Sequence, residues 1–242
     1  MTVLEFCKGR YRARLARTDD DLRAAQRLRF RCFRAGPGEG MDADRHDALC
    51  RHLLVEPVEG GPPVATCRYR IFAASLAGAY AADFYDLSGL SALSGPKLEI
   101  GRFCIAPECP DADVLRLAWA ALTRVVDAEG VAVLFGCSSF AGTDASPYAE
   151  GLSLLAARHL GPQPFLPGRK ANENIVLAGI VGDMRKGLVQ LPPLLRTYLA
   201  MGGWVGDHAV IDRDLGTLHV FTAVEIAKVP PARARLLRMD AA

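Results

Sequence analysis

The alternation of apolar and polar positions predicts a strand over residues 97–107, bounded by Gly-Pro before it and by proline at its end. Glu99 and Arg102 lie three residues apart in this strand and therefore point to opposite faces unless a bulge redirects one of them. Gly101 lies between them and is where a bulge forms most easily. From spacing alone, two interpretations are open: an active-site strand, or a central strand whose two charges form unrelated ion pairs.

The same pattern predicts the other elements of the chain. Alternating or continuous apolar runs predict strands over 11–17, 53–55, 64–72, 131–137, 205–211 and 218–224. Helical spacing predicts helices that begin at 19–21, 113, 147 and 192. We expect the first strand to be an edge strand, a loop over 36–40, and Phe84 and Tyr85 to be buried in a short helical or irregular segment. Hairpins that alternate with crossover helices indicate an α/β fold with one mixed sheet.

Composition narrows the class of protein. The chain has 242 residues, half of them hydrophobic, and a net charge of +2, as expected for a globular protein with a sizeable core. Residues 1–35 hold ten basic and four acidic side chains, a local charge of +6. Such a segment attracts phosphate, anionic lipid or an acidic protein. Nucleic acid is not an expected partner, because aromatic residues are not interleaved with the charges and no known motif is present.

Cysteine usage and hydropathy predict where the protein works. The seven cysteines form no CxxC motif and no secretory signal precedes them, so we expect reduced thiols in the cytoplasm. No apolar stretch approaches the length of a membrane-spanning helix. Residues 41–52 contain several acids and two histidines, but their spacing matches neither an EF-hand nor an HExxH site, and we predict no metal.

Several blocks resemble a known family. Arg29 and Phe33, Asp44 and Asp47, Arg68, and Glu99 with Arg102 resemble the pattern of the acyl-homoserine-lactone synthases, a branch of the GNAT acyltransferase fold that depends on acyl carrier protein. The blocks 98–105, 135–144, 191–195 and 205–212 are more similar to the ornithine acyl-ACP N-acyltransferases, which make lyso-ornithine lipid. The resemblance runs from about residue 10 to residue 228. It implies a single GNAT-like domain over 1–242, a mixed central β-sheet flanked by helices, with loosely ordered termini.

Two departures affect the expected substrates. Residues 34–43 lack the tryptophan that the lactone synthases carry there, which argues against lactone synthesis. Where acetyl-CoA enzymes of this fold have a glycine-rich, diphosphate-binding loop, residues 106–113 hold Glu108, Asp111 and Asp113 and no glycine. These acids repel a diphosphate, so acyl-CoA is expected to be a poor donor. An acyl-acyl carrier protein, with one phosphopantetheine phosphate, fits better, and no bound cofactor is expected.

The resemblance also implies roles for individual residues. Glu99 is the expected general base that deprotonates the attacking amine, directly or through water, and the alternative is a structural partner of an arginine. Arg102, Arg68, Asp44 and Asp47 form either a network that orders the amino-acid pocket or an ion-pair cluster that only holds a loop in place. Both interpretations of this network are compatible with activity.

Further residues are expected to contact the donor. A backbone N–H near Phe103 is expected to stabilise the oxyanion, and Ser138, Ser139 and Tyr148 to bind the leaving thiolate or the pantetheine arm. Arg29 and Phe33 are both expected to bind substrate. Arg29 and the other arginines of the first helix are expected to face the acidic carrier protein, and the alternative is that these charges are only solvated. Cys137 follows a buried run, is not placed beside a histidine, and is expected to pack in the core.

The resemblance therefore implies an acyltransferase that moves a fatty acyl group from acyl carrier protein to the α-amine of L-ornithine, with the chain length and the presence of a 3-hydroxyl group left open. Lysine and glutamine stay open as acceptors. The alternatives are an acyl-homoserine-lactone synthase and a non-catalytic module that binds carrier protein or lipid. We expect a cytoplasmic protein whose basic N-terminal residues bring it to the anionic inner face of the membrane.

Overall fold

The structure is a computed structural model that describes residues 4–34 and 39–241. These residues form two compact units. The first unit comprises 4–71, 100–131 and 231–241, and the second unit comprises 72–99 and 132–230. The predicted loop over 36–40 lies largely outside the described residues.

The elements follow one another in mixed order along the chain. The strands are β1 (Glu5–Lys8), β2 (Tyr11–Leu15), β3 (Arg51–Pro57), β4 (Ala65–Phe72), β5 (Tyr85–Asp86), β6 (Lys97–Ile105), β7 (Val133–Ala141), β8 (Gly168–Arg169), β9 (Asn174–Val176), β10 (Trp204–Asp212) and β11 (Thr217–Glu225). The helices are α1 (Asp19–Phe33), α2 (Ser88–Ser91), α3 (Ala112–Ala128), α4 (Ala149–Arg158), α5 (Met184–Gln190), α6 (Pro193–Ala200) and α7 (Pro231–Ala241). This alternation of strands and helices confirms the predicted α/β class.

The first unit holds strands in the order β1-β2-β3-β4-β6, with β6 contributing its residues 100–105. The predicted hairpin is present as β3 and β4, which pair antiparallel. The edge position predicted for β2 is wrong, because β1 pairs along its other side. Helix α1 begins as predicted: Thr18 caps it and Asp21 completes a capping box, so a carboxylate lies at the positive end of the helix dipole.

The second unit holds strands in the order β7-β11-β10-β9, and β5 pairs separately with β8. The predicted pair β10 and β11 is antiparallel, and β11 also pairs with β7. Tyr85 is fully buried as expected, whereas Phe84 is only partly buried against the same apolar cluster. Among the described residues, no helix combines the length and the apolar character needed to cross a bilayer.

Candidate functional site

A buried cluster of three arginines and three aspartates lies in the first unit and is called here the Arg–Asp cluster. Its arginines come from α1, β4 and β6, and its aspartates from the segment that follows α1. The members are Arg29, Arg68, Arg102, Asp42, Asp44 and Asp47. The predicted residues Asp44, Asp47, Arg68 and Arg102 are therefore brought together.

Arg29 is the innermost member of the Arg–Asp cluster. Its side chain is 0% exposed, with Nη2 2.8 Å from Asp42 Oδ2 and Nη1 2.7 Å from Asp47 Oδ1. A guanidinium without solvent access cannot touch a carrier protein. The expectation that Arg29 faces the carrier protein is wrong, because two aspartates hold its charge inside the unit.

Arg68 and Arg102 converge on Asp44. Arg68 donates to both Asp44 oxygens, at 2.5 and 2.8 Å, and Arg102 Nη2 donates to Oδ2 at 3.2 Å. Arg102 Nε also donates to Asp42 at 2.9 Å. Asp44 has 22% of its side chain exposed, against 0% for Asp42 and 5% for Asp47. It is thus the acid of the cluster most accessible to a substrate.

The arginines keep these aspartates ionised despite their burial. For Asp47, burial opposes ionisation, but the hydrogen bond and charge of Arg29 outweigh it and lower the pKa to about 2. Burial likewise opposes ionisation of Asp42 and Asp44, and arginines lower the pKa of both below its ordinary value. The cluster is therefore a charge-balanced network at neutral pH.

Two members of this network were not predicted. Asp42 accepts hydrogen bonds from Arg29, Arg34 and Arg102, and Gln26 Nε2 donates to Asp47 Oδ2 at 2.9 Å. The signal for Asp42 is its position two residues before Asp44 in the acidic segment 41–52. Gln26 lies one helical turn before Arg29 on the buried face of α1, which is the signal that could have identified it.

The backbone of β6 is left-handed at Arg102, the residue after Gly101, where a bulge was expected to form most easily. Arg102 has φ = 53°, a left-handed conformation that costs a non-glycine residue about 1–3 kcal/mol. Gly101 does not have positive φ, and a Cβ there would lie 3.6 Å from Arg68 Nε, an ordinary contact. The side chain of Arg102 forms ion pairs with Asp42 and Asp44, and the peptide that follows it leads to Phe103.

The two predicted aromatic residues pack within the first unit. The Phe103 ring stacks on Trp119 of α3, with centroids 5.9 Å apart and planes at 27°. Phe33 packs beside the buried cluster of Leu28 and Cys104. Both rings are only partly buried.

The local positive charge of the N-terminal segment is neutralised in the fold. Among the described residues, nine of the ten basic side chains before residue 35 form ion pairs. Six partner carboxylates come from beyond residue 35: Asp42, Asp47, Glu56, Glu108, Asp111 and Asp240. The expectation of a strongly basic face is therefore wrong. Arg23, Arg27 and Arg31 stay exposed on one side of α1.

The N-terminus of α3 is occupied by the chain's own acids. Asp111 caps the helix by accepting from the backbone N–H of Asp113 at 2.9 Å, and it also accepts from Arg10. These contacts, the backbone hydrogen bond first, lower the pKa of Asp111. Glu108 pairs with Arg31 and is exposed. An ionised carboxylate thus lies where a helix N-terminus would otherwise bind a phosphate.

Glu99 belongs to the second unit and is buried there. One carboxylate oxygen accepts the backbone N–H of Tyr80 at 2.9 Å, and the other accepts that of Ala81 at 2.7 Å. Residues 81–83 form a short 3-10 helix, so the carboxylate lies at its N-terminal end. Acceptance by both oxygens is the arrangement of an ionised carboxylate. These hydrogen bonds from the backbone of Tyr80 and Ala81 to Glu99 were not predicted from the sequence.

Ser138 and Ser139 lie on opposite faces of β7. Ser138 is buried, and its hydroxyl accepts a hydrogen bond from Thr222 Oγ1 of β11 at 2.9 Å, whereas Ser139 is exposed. Tyr148 donates its hydroxyl hydrogen to the carbonyl of Ala141 at 2.8 Å. Only Ser139 of the two serines therefore offers a hydroxyl to the surface. Cys137 packs partly buried against the second unit's apolar cluster.

No group of three or more His, Cys, Asp or Glu side chains within residues 4–34 and 39–241 is arranged to hold a metal ion. The acids of segment 41–52 are instead engaged by arginines, as described above.

Comparisons with known proteins extend these observations. Residues 28–120 match a family described as "Acetyltransferase (GNAT) domain", which confirms the predicted GNAT-like fold. An L-ornithine N(alpha)-acyltransferase of Rhodobacter capsulatus is 33% identical over 89% of this chain and 90% of its own. An L-ornithine N(alpha)-acyltransferase of Brucella abortus is 33% identical over 91% of this chain and 86% of its own. The solved structure of a CoA-dependent acyl-homoserine lactone synthase aligns over 92% of this chain and 82% of its own, with 14% identity and a TM-score of 0.48.

Proposed function

The chain belongs to the L-ornithine N(alpha)-acyltransferase family, and we propose that it acylates the α-amine of L-ornithine with a 3-hydroxyacyl group carried by acyl carrier protein. The observation that carries this proposal is one-third identity over about nine-tenths of both chains. In the reaction the ammonium of ornithine loses two protons, its nitrogen attacks the thioester carbonyl, and the carbon–sulfur bond breaks. One proton goes to the departing sulfur and the other to solvent. The products are an N-acyl-ornithine, which is a lyso-ornithine lipid, and the free phosphopantetheine thiol.

We propose Glu99 as the general base. An amine attacks only after it has lost its proton, and a positioned base contributes about 10²–10⁴-fold in rate. The amides of Tyr80 and Ala81 each use one acceptor position on a different oxygen of Glu99. These two hydrogen bonds favour the ionised carboxylate, which is the form that accepts a proton from the substrate or from a bridging water.

The Arg–Asp cluster supports a positioning role in the first unit. Buried ion pairs that share hydrogen bonds hold their side chains in one geometry. Asp44 is the most exposed acid of the cluster and is fixed by Arg68 and Arg102. We assign Asp44 to the recognition of a substrate ammonium and the arginines behind it to keeping it ionised and in place.

The choice of acyl carrier protein over acyl-CoA rests on charge. CoA brings a diphosphate and a further phosphate, whereas the carrier protein's arm brings one phosphodiester. The Asp111 carboxylate already caps α3 and so occupies the helix end at which a diphosphate would otherwise bind. Exposed Arg27 lies on the outer side of α1 and suits an acidic partner surface, while its neighbours on that side, Arg23 and Arg31, pair with Asp20 and Glu108.

Two further assignments complete the proposed mechanism. The left-handed backbone at Arg102 reorients the following peptide, and we assign the N–H of Phe103 to the developing oxyanion. Ser139, the exposed serine of β7, is assigned to the pantetheine arm. The reaction is placed in the cytoplasm, at the inner face of the membrane, where the amphiphilic product inserts.

The experiment is a mass-resolved assay of the purified full chain. The donor is a 3-hydroxyacyl group bound to acyl carrier protein or the matching acyl-CoA, and the acceptor is ornithine, lysine or glutamine. The expected result is N-acyl-ornithine from the carrier-protein donor and little product from acyl-CoA. Efficient use of acyl-CoA would overturn the proposed donor, and absence of product with every acceptor would overturn acyl transfer. Consumption of S-adenosylmethionine would instead indicate lactone synthesis.

A further inference from the structure

Helix α5 and the residue three positions before it carry four exposed apolar side chains in the second unit. Val181 is 90% exposed, Met184 39%, Leu188 54% and Val189 80%. Single exposed apolar residues are normal on a protein surface, but four within nine residues, with Met184 and Leu188 one helical turn apart, are typical of an interaction site. These four residues are called the α5 patch.

The packing of α5 explains why its apolar side chains face outward. A Cβ at Gly187 would lie 2.5 Å from the carbonyl oxygen of Glu150 in α4, so this glycine allows the two helices to approach closely. Gln190 lies on the same side and accepts the backbone N–H of Gly151 at 2.8 Å. At 100° per residue, the side opposite Gly187 and Gln190 presents Leu188 and Val189, and the patch does not contribute to the core.

Two cationic side chains lie among and beside the residues of the α5 patch. Arg185 lies between the apolar positions with 91% of its side chain exposed, and Lys186 follows it and is exposed. Asp183 caps α5 and forms an exposed pair with Arg185. Glu150 of α4 accepts a hydrogen bond from Gln190, on the side of α5 that faces away from the patch.

We propose that the α5 patch is the surface through which this protein binds an anionic lipid bilayer. A protein–protein interface excludes charges from its centre, whereas an interfacial helix combines apolar side chains with lysine and arginine. The short patch gives weak, reversible binding that salt reduces. The proposal rests on the proposed function in one respect, because the acylated product of that reaction enters the membrane.

The test is flotation of the purified full chain with vesicles of phosphatidylglycerol mixed with phosphatidylethanolamine, compared with phosphatidylcholine alone. The expected result is co-migration with the anionic vesicles only, lost at high salt. The variant Leu188→Asp/Val189→Asp is expected to bind at least tenfold more weakly, since each side chain loses its apolar burial in lipid. Arg185→Glu is expected to weaken binding roughly fivefold or more for each unit of charge.

Helix α7 supplies the matched control. Leu236 and Met239 are exposed there, next to arginines, so Leu236→Asp/Met239→Asp makes the same chemical change on another basic helix. The control is expected to bind within about twofold of the wild type, because both of its surface changes leave the α5 patch intact. Thermal melts of all variants check that the exposed substitutions leave the fold intact.

The proposal is overturned by no co-migration of the wild type, by equal binding of Leu188→Asp/Val189→Asp, or by loss of binding in the α7 control alone. Self-association through the patch without vesicle binding also overturns it, in favour of a second copy as the occupant. Acyl transfer is measured separately in vesicle-free solution, where the α5 variants are expected to keep the wild-type rate. A protein that floats but makes no N-acyl-ornithine would therefore refute the proposed function and leave the lipid surface standing.

Discussion

Asp47 tests whether the Arg–Asp cluster stabilises the first unit as the contacts indicate. Its carboxylate accepts from Arg29 at 2.7 Å, from Arg68 at 2.6 Å and from Gln26 at 2.9 Å. Asp47→Asn keeps the shape but removes the charge, and it turns one acceptor atom into a donor that faces other donors. Two buried guanidinium groups then lose part of their compensation.

Breaking one partner out of a buried ionic network costs about 3–5 kcal/mol of unfolding free energy. For a chain of this size, that lowers the melting temperature by roughly 10 °C. Urea unfolding of the variant is followed by the fluorescence of Trp119, which lies in the first unit, in a Trp204→Phe background. The control is Asp20→Asn, which removes an exposed pair with Arg23 and is expected to cost less than about 1 kcal/mol.

The pH dependence gives the same test a sign. The folded-state pKa of Asp47 is lowered to about 2, so its stabilisation is complete above the unfolded value of about 4 and is lost as the pH falls toward 2. The stability difference between wild type and Asp47→Asn is therefore expected to shrink over this range. A cost below about 1 kcal/mol at neutral pH, or a difference that does not change between pH 4 and pH 2, would refute the reasoning.

Three further predictions address the catalytic base, the partner surface and helix packing. Glu99→Gln is expected to slow turnover by about 10²–10⁴-fold in steady-state assays and to change the pH–rate profile. If Glu99 had only a structural role, the substitution would lower the melting temperature and leave the pH–rate profile unchanged. Arg27→Glu is expected to raise the KM for acyl carrier protein about tenfold and to leave turnover of acyl-pantetheine unchanged; equal effects on both donors would count against the α1 surface. Gly187→Ala is expected to cost about 1–3 kcal/mol in chemical denaturation, because its methyl group meets the Glu150 carbonyl, and a neutral result would contradict the described packing.

Long elements with a buried stripe were predictable from the sequence. Helix α3 and the hairpin of β3 and β4 appear within one or two residues of the predicted bounds, because apolar periodicity reports burial directly. Strands β1, β8 and β9 have four residues or fewer, too few for a period to be detected. Helix α5 escaped prediction because Gly187 faces its neighbour and the apolar side chains face outward, which removes the usual signal.

The site was predictable in its residue types and less so in its partners. Asp44, Asp47, Arg68 and Arg102 do meet, as their resemblance to the lactone-synthase pattern implied. The burial of Arg29 was not predictable from helical spacing, because its partner carboxylates come from 13 and 18 residues further along the chain. The same reason explains the neutralised N-terminal charge: a window of sequence does not count acids that folding brings from elsewhere.

The most direct measurement is a competition between donors in one reaction. The purified protein is given ornithine and equal amounts of two donors, the acylated carrier protein and acyl-CoA. The acyl chains of the two donors differ in isotopic mass. Fragmentation of the product identifies both the donor and the acylated nitrogen. The account predicts an amide on the α-nitrogen that carries the carrier protein's isotope. An amide on the δ-nitrogen, or a product that carries mainly the CoA isotope, would contradict it.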